Sequence, residues 1–120
     1  MKDKTLVLGA STKADRYAYK AANMLLSKGN KIALLGNKTG EVANHLIETD
    51  PSKISDIDTV TLYLNPKNQE QYYDFIKNLK PRRVIFNPGT ENPEFEKELE
   101  SEQIETIEAC TLVMLSTGQY

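Results

Sequence analysis

The sequence contains no tryptophan, one cysteine and one histidine in 120 residues. Cys110 alone can make neither an internal disulfide nor a cysteine-based zinc site. His45 alone offers no Ser/His/Asp relay, and no spacing of His, Cys, Asp and Glu matches a metal-ligand set. No catalytic residue and no metal are therefore expected. Hydrophobic runs are short, and none nears the ~18 residues a membrane-spanning helix needs. The opening Met1-Lys2-Asp3-Lys4-Thr5 leads into an apolar run too short for a secretory leader. The expectation is a cytoplasmic protein without a membrane partner. Neither sign of charge dominates: 15 basic against 17 acidic residues leave a net charge of −2. That balance gives no general attraction to nucleic acid. At this length the chain reads as one domain over residues 1–120.

The sequence does hold an alternation of short apolar runs and helical patterns. The runs are Thr5–Gly9, Lys31–Gly36, Thr59–Leu64, Arg83–Phe86 and, more weakly, Glu105–Glu108. The first four are nearly continuous in apolar character, as strands covered on both faces are. Between them, residues 15–28 carry Ala18, Ala21, Ala22, Leu25 and Leu26 at helical spacing, closed by Gly29. Residues 66–79 and 93–103 read as further helices. Asn65-Pro66 and Asn92-Pro93 each put a capping amide before a proline at the first helical position. Residues 38–58 show little pattern, and a loop with a short helical or extended piece is expected there. Residues 110–115 suit a last short helix. The fold class that follows is α/β: a Rossmann-like, doubly wound, parallel five-stranded sheet in a three-layer α/β/α sandwich. The leading strand order is 3-2-1-4-5, with the flavodoxin-like 2-1-3-4-5 as the alternative.

Such sheets bind ligands beyond the carboxyl ends of their strands, where the order reverses. After the first strand come Gly9, Ala10, Ser11, Thr12 and Lys13, with Arg16 one turn further. Small residues, hydroxyls and cations opening a helix suit a phosphate group. A plain strand-to-helix turn is the competing reading, since neither the dinucleotide glycine pattern nor a P-loop is present. After the second strand come Asn37 and Lys38, where an NAD-binding chain would need an acid. A lysine and an amide suit a ribose carrying a phosphate, as in NADP or coenzyme A; a solvated loop lysine is the alternative. Asn65 caps a helix and can still touch a ligand. Asn87, Pro88 and Gly89 set a rigid turn after the fourth strand, fit to line a channel or simply to cap the next helix.

These segments resemble a known family. Leu8-Gly9-Ala10-Ser11 with Arg16–Ala22, Gly36-Asn37-Lys38, Ile57–Val60, Asn87–Asn92 and Ala109–Leu115 look like the small bacterial CoA-binding domain proteins. Those are similar to the CoA-binding domain of the succinyl-CoA synthetase alpha subunit. The resemblance covers nearly the whole chain in order. It implies coenzyme A or an acyl-CoA as cofactor, with the pyrophosphate on the Gly9–Ser11 loop, the adenosine phosphate near Lys38, and pantetheine beside Asn87, Pro88 and Gly89. The synthetase's phosphorylated histidine and second domain have no counterpart here, so its reaction is not implied.

The expected function is non-catalytic binding of coenzyme A or an acyl-CoA, with no nucleic acid or membrane partner. Two alternatives stay open. One is a small NADP-dependent or thioester-handling enzyme using Cys110. The other is a protein-interaction module that has lost the ligand. A homodimer or another protein partner also stays open.

Overall fold

The computed structural model describes residues 2–120. Among these residues seven strands form one sheet: β1 (Lys4–Leu8), β2 (Lys31–Leu35), β3 (Gly40–Val42), β4 (His45–Glu48), β5 (Ile57–Leu62), β6 (Arg83–Phe86) and β7 (Glu105–Glu108). The helices are α1 (Tyr17–Ser27), α2 (Pro66–Gln69), α3 (Tyr73–Leu79), α4 (Pro93–Ser101) and α5 (Thr111–Ser116). The strands lie in the order β3-β4-β2-β1-β5-β6-β7. Every neighbouring pair is parallel except β3 with β4.

The expected five-stranded sheet is thus corrected to seven strands. The two extra strands come from the patternless crossover. Ala43 and Asn44, with φ of 51° and 65°, make a two-residue turn. Two-residue hairpins need central residues in the left-handed region so that their twist matches that of the strands. The turn pairs Val42 with His45 and Gly40 with Ile47. Strand β4 then pairs parallel to β2 through Leu34 and Leu35. The five expected strands by themselves stand in the order 2-1-3-4-5. With β4 included, the six parallel strands run 3-2-1-4-5-6 when numbered among themselves, the Rossmann order.

The near-continuous apolar strands bury both faces. On one face Leu6, Leu8, Val60, Leu62, Val84 and Phe86 pack against Ile76 of α3 and Phe95 and Leu99 of α4. On the other, Val7, Ile32, Leu34 and Ile47 pack against Ala18, Ala22 and Leu25 of α1 and Leu115 of α5. Successive residues of a strand point to opposite faces, so Val7 serves one core while Leu6 and Leu8 serve the other. The caps follow the sequence signals. Asn65 Oδ1 accepts from Asn68 N at 2.9 Å, and Asn92 Oδ1 accepts from Phe95 N at 3.2 Å. Gly29, at φ +86°, lets the chain leave α1. One expected helix is broken: residues 66–79 run as α2, a tighter turn over Glu70–Tyr72, and α3. No helix among the described residues is long and apolar enough to cross a membrane.

Candidate functional site

The strand order reverses between β1 and β5, and a cleft of about 960 Å³ opens at their carboxyl ends. Loops after β1, β2, β5 and β6 all contribute to it. It is lined by eleven of the twelve candidate residues: Gly9, Ala10, Ser11, Thr12, Lys13, Arg16, Asn37, Lys38, Asn65, Pro88 and Gly89. Lys13, Arg16 and Lys38 are exposed, which gives the cleft three solvated cations. Asp15 is the one carboxylate among its lining residues.

The first loop differs in detail from a tight phosphate turn. Eight residues separate β1 from α1, and α1 begins at Tyr17 with Arg16 as its N-cap. The N–H groups of Gly9 and Ala10 both donate to Leu35 O, at 2.9 and 3.0 Å. They are tied to β2 and do not point outward as free donors. The first-turn N–H groups of α1, from Tyr17 on, are those without intrahelical acceptors, and Tyr17 and Ala18 of that turn are among the cleft's lining residues. Within the loop, Ser11 Oγ accepts from Lys13 N at 3.1 Å and Lys13 O accepts from Arg16 N at 3.1 Å.

The glycines here serve the protein's own packing. Gly9 has φ +96°, and a Cβ there would meet the Tyr63 backbone and Leu64 Cδ2 at 3.1 Å. A Cβ on Gly36 would lie 2.7 Å from Ala10 O. The loops after β1, β2 and β5 therefore meet backbone to backbone at the floor of the cleft.

Asn87 stands apart from the other eleven. It is buried, and its side chain does not line the cleft. Its Nδ2 donates to Thr61 Oγ1 at 2.7 Å and to Leu62 O at 2.9 Å, while its Oδ1 accepts from Thr111 N at 2.8 Å. It is a strut between β5, β6 and the start of α5. Thr90 N and Thr90 Oγ1 both donate to Asn87 O, holding the turn that presents Pro88 and Gly89.

Several lining residues lie outside the expected site: Tyr17, Ile47, Asn68, Gln71 and Tyr72 also line the cleft. Ile47 comes from the unforeseen strand β4 and stands beside Gly36. Tyr63 also lines the cleft; its Oη is buried with no hydrogen-bond partner among the described residues, and burial holds the phenol above its ordinary pKa. Cys110 is the half-buried N-cap of α5, outside the cleft lining. His45 lies on β4, its Nδ1 at 2.8 Å from Ala43 O, and is also outside the lining. Among the described residues no group of three or more His, Cys, Asp and Glu could hold a metal ion.

A cleft at the reversal point of a Rossmann-ordered sheet, with cations on two adjoining loops, suits a phosphorylated nucleotide. The family model of the CoA binding domain matches residues 3–116. The chain belongs to the CoA binding domain family. The match spans every strand and helix described above except the last few residues beyond α5. Among solved structures, a crystal structure of an uncharacterized protein is 50% identical with a TM-score of 0.95, covering 100% of this chain and 99% of that one. A hypothetical protein from Pyrococcus horikoshii OT3 is 26% identical with a TM-score of 0.84, covering 97% of this chain and 82% of that one. A Thermus thermophilus protein reaches a TM-score of 0.85 at 19% identity, covering 99% of this chain and 91% of that one, and speaks for the fold alone. No curated protein matches the chain.

Proposed function

We propose that this protein binds coenzyme A or an acyl-CoA in the cleft and performs no chemistry on it. The observation that carries the reading is the convergence of Lys13, Arg16 and Lys38 on the cleft of a CoA binding domain. The first turn of α1 and Lys13 and Arg16 take the pyrophosphate. Lys38, from the loop after β2, takes the 3′-phosphate of the ribose. The adenine lies toward Gly36 and Ile47, and the pantetheine arm crosses β1 toward the loops after β5 and β6. Binding of this kind is charge recognition on one side and shape recognition on the other.

Titration calorimetry of ligand-free protein with coenzyme A, dephospho-CoA and NADP tests the reading. Coenzyme A is expected to bind more tightly than dephospho-CoA by about tenfold or more, the worth of one charge-assisted contact. NADP is expected to bind more weakly than coenzyme A, having no pantetheine arm. Equal affinity for all three, or binding of none, would overturn it.

A further inference from the structure

Gln69 is wholly buried, an unusual place for a glutamine side chain. Its Nε2 donates to two main-chain carbonyls, Leu64 O and Thr90 O, each at 2.8 Å. Its Oε1 accepts from Asn92 Nδ2 at 3.0 Å. Leu64 and Thr90 belong to different loops, those after β5 and β6, and both line the cleft. One amide nitrogen thus sets the separation of two stretches of cleft backbone. The network continues inward: Asn92 Nδ2 also donates to Tyr73 Oη at 2.8 Å, and Asn92 Oδ1 caps α4. Asn68 and Gln71, one and two residues away along the chain, line the cleft, whereas Gln69 is buried and outside its lining.

We infer that Gln69 is a positioning residue that clamps the β5–β6 wall of the cleft and so determines its grip on the pantetheine arm. The inference rests on the coenzyme A reading above. A side chain buried merely to fill the core would be apolar, because an amide in that place costs desolvation unless every polar atom is matched. Here the matches are made to the cleft's own backbone. The adenosine end lies on the opposite wall, beyond β1, and does not depend on this clamp.

The test compares two ligands on Gln69→Leu: coenzyme A and adenosine 3′,5′-bisphosphate, which lacks the pantetheine arm. Coenzyme A affinity is expected to fall about tenfold, the scale of a lost hydrogen-bonded contact, while the bisphosphate changes by less than about twofold. Equal loss for both ligands, or no loss for either in a folded variant, overturns the clamp. The unaltered protein provides a second reading that needs no variant. In its NMR spectrum the Gln69 side-chain amide signals are expected to shift on adding coenzyme A and to stay put on adding the bisphosphate. Signals unmoved by coenzyme A overturn the clamp and leave the binding reading standing. Failure of the parent protein to bind either ligand brings down both.

Discussion

The two walls of the cleft are held in different ways. On the β1–β2 side, Thr12, Lys13, Arg16, Asn37 and Lys38 stand exposed, and the bonds within the first loop are short-range. On the β5–β6 side, Gln69, Asn87 and Asn92 are buried, and their amides knit together β5, α2, α3, α4 and α5. One wall carries exposed charge; the other carries shape and is settled when the chain folds. Changes to the exposed side chains of the first should therefore alter affinity with little effect on stability, while changes to the second, or to the close-packed Gly9 at the cleft floor, should reach stability first.

The strongest way to break that contrast is Asn87→Leu. It leaves Leu62 O and Thr111 N without their partner inside the protein. The expected loss of unfolding free energy is about 3 kcal/mol in urea titrations; a loss below about 1 kcal/mol would mean the shape-bearing wall is not held as described. Next comes Gly9→Val. Its φ of +96° and the Tyr63 backbone 3.1 Å from any Cβ predict destabilisation, of about 2 kcal/mol by the same measurement. Parental stability would show that the loops do not close on one another there.

Lys38→Glu sharpens the contrast from the other side. Its melting temperature should match the parent's, because Lys38 is exposed. Its coenzyme A affinity should drop about tenfold with a smaller change for dephospho-CoA. Equal loss for both ligands would take Lys38 away from the 3′-phosphate. The smallest effect concerns pH. Burial and the neighbouring Glu108 carboxyl hold Glu96 above its ordinary value of 4.5. The folded state therefore keeps a proton that the unfolded chain releases, so this contribution is fully present below 4.5 and fades as pH rises through the raised value. Asp58 runs the opposite way. Held below 3.8 by Arg82, it adds stability above that pH and loses it in acid. Glu96→Gln should gain on the parent as pH rises, by less than about 1 kcal/mol for a half-exposed group. A stability difference independent of pH would remove Glu96 from the account.

Local signals were legible, and partnerships between distant residues were not. Asn65-Pro66 and Asn92-Pro93 announced helix starts because cap and helix are neighbours in the chain. The loop cations were found because topology alone brings strand ends together. The β3–β4 hairpin stayed hidden because Ala43 occupies a left-handed turn position usually marked by Asn, Asp or Gly. Asn87 looked like an exposed turn amide because its partners Thr61 and Thr111 lie more than twenty residues away. Gln69 sits in the polar run Pro66–Gln71, which reads as a solvated helix. Only the folded chain shows the carbonyl 21 residues distant that draws it inside.

The hairpin between β3 and β4 also bears on the time course of folding. It is the one antiparallel pairing in the sheet, closed by two residues, while the other five pairings are parallel and must close long loops before gaining a rung. The β1–β5 pairing waits longest, since its rungs join residues as distant as Leu8 and Leu62, whereas β1 meets β2 through Leu8 and Leu35. The cleft sits on that last seam. A nascent or refolding chain is therefore expected to acquire ligand affinity late, after most of its secondary structure has formed.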